Sequence, residues 1–159
     1  MVDKKILVVY YSRSGNTKKV MESLGAELEC DIEKLIDLKD RSGLLGYISS
    51  AIDTLKKKDA RIKPVQSNPA DYDLVIIGSP TWVSTMANAV RTYLKKYQDC
   101  FDEVAFVTTQ GASNTKIFDR MSKLAQKEPI AQLDILEKDL DSEICKNKMD
   151  EFVSQIKTK

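Results

Sequence analysis

Residues 6–25, ILVVYYSRSGNTKKVMESLG, decide the fold by a change of pattern. Ile6, Leu7, Val8, Val9, Tyr10 and Tyr11 form an unbroken apolar and aromatic run. A strand with one wet face would alternate, so this run reads as a strand buried on both faces. Val20, Met21 and Leu24 then recur at helical spacing, with Gly25 placed to cap the helix. Between them lies a strand-to-helix corner in which Ser12, Ser14, Asn16 and Thr17 crowd around Gly15.

That corner has the chemistry of a phosphate cradle. A helix N-terminus offers free N–H groups, and glycine lets the backbone approach a ligand closely. No lysine of the P-loop kind follows and G-x-x-x-x-G-K-[ST] is absent, which argues against nucleotide hydrolysis. A monoester phosphate held mainly by neutral donors fits better; Arg13, Lys18 and Lys19 either assist it or, as the more ordinary reading, form a solvated helix start. The plain alternative is a set of ordinary turn and cap residues.

Outward from this stretch the periods keep alternating. Leu28, Cys30 and Ile32 alternate with Glu27, Glu29, Asp31 and Glu33, as in a half-exposed strand near a sheet edge. Leu44, Ile48, Ala51, Ile52 and Leu55 mark a second helix that closes in the solvated run Lys56, Lys57, Lys58. Residues 74–77, ending at Gly78, read as a third strand, and residues 104–107 as a fourth. Residues 133–136 read as a fifth. Met86, Ala89, Val90, Tyr93, Leu94 and Tyr97 form a helical stripe with Ser84 or Thr85 as its N-cap. Ile117, Met121, Leu124 and Ala125 outline the next helix, and Met149, Phe152, Val153 and Ile156 the last. Alternating strands and helices with apolar central strands imply an α/β fold: a doubly wound, five-stranded parallel sheet in three layers. The expectation is one domain over residues 1–159, a length that buries roughly 70% of the unfolded surface.

Composition narrows the function. Net charge is +1 with both signs mixed along the chain, which gives no case for nucleic acid. No run approaches the roughly 20 apolar residues of a membrane span, so no membrane insertion is expected and the cytoplasm is the default. The three cysteines are far apart, and histidine is absent. Ser-His-Asp and Cys-His catalysis and imidazole-bound metals are thereby excluded, and no metal site is expected. No catalytic side chain is identified; chemistry would come from a bound cofactor.

Three of the six glycines, Gly15, Gly78 and Gly111, follow the first, third and fourth strands. Ligands of open α/β sheets bind outside the carboxyl ends of strands, where strand order reverses. SRSGNT (residues 12–17), GSPTWV (78–83) and TTQGAS (108–113) should therefore share one edge. Trp82, the sole tryptophan, falls in the second corner, as a core plug or as a platform for a flat ring.

The three corners, in order and at spacing, resemble the flavodoxin family over essentially the whole chain. Residues 12–17 match its phosphate-loop pattern [ST]-x-[ST]-G-x-T, and IGSPTWVSTMANAVRTYL and VAFVTTQGASNTKIFDRM resemble its second and third flavin loops. DRSGLLGYISSAIDTLKKK resembles a segment of a poorly characterised bacterial branch. The resemblance implies a flavodoxin-like sheet of order 2-1-3-4-5 and an FMN site. Ser12, Arg13, Ser14, Gly15, Asn16 and Thr17 would take the phosphate. Pro80, Thr81, Trp82 and Val83 would flank the isoalloxazine, and Thr109, Gln110, Gly111 and Ala112 would face its pyrimidine edge. Tyr47 borders the ring or belongs to the core or rim.

Departures from the family shape the expected activity. Val83 stands where typical members have a glycine whose peptide flips toward flavin N5, the third loop has no aromatic residue, and the chain is near neutral rather than acidic. The leading expectation is an FMN-binding redox protein that transfers electrons through the flavin to a redox partner protein or a small acceptor such as a quinone. The alternatives are an NAD(P)H-dependent FMN reductase of quinones or similar acceptors and a non-redox scaffold without cofactor. A signalling receiver needs aspartates after the first strand, and Tyr10, Tyr11 and Ser12 offer none. Monomer and homodimer both remain open.

Overall fold

The computed structural model of the chain describes residues 3–39, 43–56 and 59–159. Lys57 and Lys58, and the side chain of Tyr47, read above as bordering the ring or as core or rim, lie outside the described residues. The elements alternate along the chain: β1 (Ile6–Tyr10), α1 (Asn16–Glu27), β2 (Asp31–Lys34), α2 (Gly43–Leu55), β3 (Leu74–Trp82), β4 (Thr85–Met86), α3 (Asn88–Tyr97), β5 (Glu103–Gln110), α4 (Lys116–Ala125), β6 (Gln132–Leu136) and α5 (Glu143–Thr158).

Five strands pair in parallel in the order β2-β1-β3-β5-β6. This is the expected 2-1-3-4-5 order once β4 is set aside as a two-residue arm antiparallel to the end of β3. The continuous apolar runs are explained by two cores. Leu7, Val9, Val75, Ile77, Val104 and Phe106 face one core, closed by α3 and α4 through Val90, Tyr93, Leu94, Ile117 and Met121. Val8, Tyr10, Leu74, Ile76, Ala105 and Val107 face the other, closed by α1 and α5 through Val20, Leu24, Phe152 and Ile156. Successive residues point to opposite faces, so burial of both faces demands an unbroken apolar sequence.

Several boundaries differ from expectation. Gly25 lies inside α1, where a Cβ would come within 2.4 Å of Ile32 Cδ1. It permits close approach of α1 to β2, and the helix runs on to Glu27 with Leu28 as its C-cap, followed by Glu29 with φ 49°. Leu28 and Glu29 of the expected second strand consequently form a turn, and Cys30 leads from it into β2. Gly78 is within β3, paired with Tyr10 and Val107, and a Cβ there would lie 2.4 Å from Met21 Sδ. Its lack of a side chain seats α1 on the sheet; the corner it was expected to make falls later. The N-cap of α3 is Ala87, not Ser84 or Thr85, because those two residues belong to the β3–β4 hairpin. Among the described residues, no helix is long and apolar enough to cross a membrane.

Candidate functional site

The carboxyl ends of β1, β3 and β5 open into one cleft of about 300 Å³, at the point where strand order reverses between β1 and β3. Ten of the expected site residues line it: Arg13, Ser14, Asn16 and Thr17 from the first corner, Pro80, Thr81, Trp82 and Val83 from the second, and Thr109 and Gly111 from the third. Ser12, Gly15, Gln110 and Ala112 are not among the lining residues.

Ser12 and Gly15 shape the first corner from behind. Ser12 Oγ accepts the Gly15 N–H at 3.1 Å, and Gly15 takes φ 100°, a left-handed conformation that a side chain would strain. Gly15 precedes α1 with no side-chain cap bond. The first-turn N–H groups, beginning at Asn16, therefore keep their capacity for an anion. Thr17 is almost fully buried, and its hydroxyl lies 2.7 Å from that of Thr109. This bond joins the first corner to the third across 92 residues of sequence.

The second corner is an extension of β3. Trp82 is half-buried and meets Tyr11 edge-on, with ring centroids 5.6 Å apart and planes at 87°. It thus braces the core with one part and walls the cleft with another. Ser79 Oγ accepts the Ala87 N–H at 2.9 Å and donates to the Pro80 carbonyl at 2.8 Å, closing the base of the hairpin. Thr81 Oγ1 is buried and has no hydrogen-bond partner among the described residues. At its tip the hairpin turns through Val83 and Ser84, with φ of 49° and 61°. Each such non-glycine residue costs on the order of 1–3 kcal/mol.

The third corner is anchored away from the cleft. Asp134 on β6 accepts from Thr108 Oγ1 (3.2 Å), Gln110 Nε2 (2.6 Å) and Ser113 Oγ (2.9 Å). The Gln110 side chain therefore holds the loop in place, and Ala112 is exposed. The structure also adds lining residues that sequence reasoning missed: Ser50 and Ala51 from α2, and Glu137 after β6. Ser50 is buried and bonds back to the Gly46 carbonyl at 2.7 Å, so α2 presents a compact wall. No local motif signals these three; Asp134 leaves one trace, a carboxylate between the apolar residues of β6.

The cleft is polar and nearly neutral, with hydroxyls and a free helix N-terminus at one end and an indole at the other. A hydroxyl-ringed helix N-terminus and an aromatic wall thus meet at the switch point of a doubly wound sheet, the place where folds of this class bind their ligands. The flavodoxin profile matches residues 5–156, and the chain belongs to the flavodoxin family. A flavoprotein from Lactobacillus acidophilus, solved in complex with FMN, is 25% identical, with 87% of this chain and 97% of that one covered and a TM-score of 0.70. A protein from Bacteroides eggerthii (23% identity, 94% and 98% covered, TM-score 0.72) and one from Bacteroides uniformis (16%, 92% and 98%, 0.76) share the fold. No curated protein matches the sequence.

Proposed function

We propose that the chain binds FMN in this cleft and acts as a redox protein that passes electrons through it. The observation that carries the reading is the convergence of three separate corners on one cleft, tied by the Thr17–Thr109 bond. The residues fit the cofactor. The first turn of α1 with Ser14 and Thr17 suits a monoester phosphate, and Thr81 Oγ1 is a buried polar atom awaiting a partner at the cleft wall. Pro80, Trp82 and Val83 form the face on which a flat ring can lie. FMN, when bound, supplies reversible uptake of electrons and protons that no side chain provides. The protein's own part is to bind, orient and shield: the first corner holds the phosphate, the second walls the ring, and Asp134 keeps the third corner in register. The three free cysteines suit a reducing compartment, in line with the cytoplasm.

Electron carriage to a partner protein or small acceptor is the leading form of this activity. A reductase that takes electrons from NAD(P)H and delivers them to a quinone is favoured by the near-neutral charge, which gives little steering toward a basic protein partner. The deciding experiment is a visible spectrum of the purified chain during titration with FMN, followed anaerobically by NAD(P)H. Quenched flavin fluorescence and a saturable shift of the flavin bands are expected. A chain that leaves the FMN spectrum and its own unfolding temperature unchanged refutes the proposal. Bleaching by NAD(P)H alone selects the reductase.

A further inference from the structure

The hairpin at the cleft rim is built from unsuitable residues. A two-residue link between antiparallel strands in which both residues have positive φ is a type I′ turn, normally supplied by Asn-Gly or similar pairs. Here Val83 and Ser84 hold φ of 49° and 61°. A β-branched residue is among the least suited to this region. Core packing does not force the conformation on Val83, which is 50% exposed.

What holds the turn comes from elsewhere in the chain. Asn114 Nδ2 donates to Ser84 Oγ at 2.7 Å, and Arg120 Nη1 donates to the Ser84 carbonyl at 2.7 Å. Asn114 is itself anchored, its Oδ1 accepting the Lys116 N–H at 3.1 Å at the start of α4. Arg120 sits one turn further along the same helix. Both fasteners therefore belong to α4 and its leading loop, while Val83 and the preceding Trp82 line the cleft.

We infer that Asn114 and Arg120 are positioning residues: by holding Ser84 they keep the Val83–Ser84 turn left-handed, and so fix Trp82 and Val83 as the ring wall of the cleft. The inference rests on the FMN reading for its ligand, and on the turn alone for its geometry. Without the fasteners the turn relaxes toward negative φ and carries Val83 away from the cleft.

The test is a cycle of four full-length chains: the parent, Arg120→Ala, the pair Val83→Asn with Ser84→Gly, and all three changes together. Asn-Gly adopts the turn unaided and keeps the carbonyl at position 84, so Arg120 becomes dispensable if its role is to hold the turn. Loss of this charge-assisted bond is expected to weaken FMN binding about tenfold in the parent, and less than about twofold in the Asn-Gly background. The visible circular dichroism of bound FMN should change in Arg120→Ala and return in the triple variant. An equal loss of affinity in both backgrounds overturns the inference, since Arg120 then acts on the ligand directly. No loss in either background overturns it as well. If the parent binds no FMN, the FMN reading fails by itself, and unfolding temperatures decide the clamp. Arg120→Ala must then lower Tm in the parent and not in the Asn-Gly background; equal lowering in both overturns it.

Discussion

Valine at position 17 or 109 removes a hydroxyl while keeping the shape of the side chain, and it tests the bond that joins the first and third corners. The two Oγ1 atoms are 2.7 Å apart and each residue is 1% exposed, so either single substitution strands its partner in a nearly dry site. An unpaired buried hydroxyl costs about 1–3 kcal/mol, whereas replacing both partners by apolar groups of the same shape is close to neutral. At this chain length each kcal/mol is worth about 2–4 °C in Tm. Thr17→Val and Thr109→Val are therefore each expected to lower Tm by about 2–12 °C without cofactor, and the double variant to recover most of that loss. Cofactor binding should follow a different order. FMN that binds only the folded chain raises Tm, and this rise is expected to shrink in both variants lacking the Thr17 hydroxyl. Thermal unfolding with and without FMN measures both effects. Single losses that simply add in the double variant would refute the pairing.

Thr81→Val should separate stability from binding in the opposite sense: removing an unpartnered buried hydroxyl is expected to leave Tm unchanged or raise it, while weakening FMN binding in a fluorescence titration. Gly78→Ala places a Cβ 2.4 Å from Met21 Sδ, and because methionine is flexible the cost should fall at the low end of about 1–3 kcal/mol, read from urea unfolding. The Cys30 thiol is pushed up to about 11 by burial, with the neighbouring Asp31 carboxylate adding to the shift. Peptide-resolved iodoacetamide labelling at pH 8 should accordingly be much slower at Cys30 than in the unfolded chain. Since the folded state holds this proton more tightly, its contribution to stability is complete below the ordinary thiol value of 9.0 and is lost as pH rises toward about 11. Cys30→Ala should flatten that part of the pH–stability curve.

Much of the architecture was legible because burial of both sheet faces leaves its mark residue by residue. Residues 6–11, 74–77 and 104–107 announce themselves as central strands, and the helical stripes between them imply parallel crossovers. The geometry of the first corner was legible too: Gly15 takes a left-handed conformation before α1, and Ser14, Asn16 and Thr17 line the cleft. What misled was punctuation. Gly25 and Gly78 look like ends of elements, yet each is a point of close packing, against Ile32 and Met21 respectively. A sequence reports that a side chain is missing without saying whether backbone dihedral or a neighbour required it. Ser84 looked like a helix cap, and pairing of Trp82 with Thr85 makes it part of a hairpin turn instead.

By itself, then, the sequence determined the alternation of elements, the two-sided burial of the sheet and the small hydroxyl-bearing character of the first corner, because these depend on residue type and short-range period. Only the tertiary structure decided which distant groups meet. It paired Thr17 with Thr109, turned Gln110 toward Asp134, brought Ser50, Ala51 and Glu137 to the cleft, and set Arg120 on the Ser84 carbonyl. Each of these contacts joins elements that adjoin in the folded layers and lie far apart along the chain. Hydrogen bonds depend on distances of a few tenths of an ångström, which no periodicity encodes.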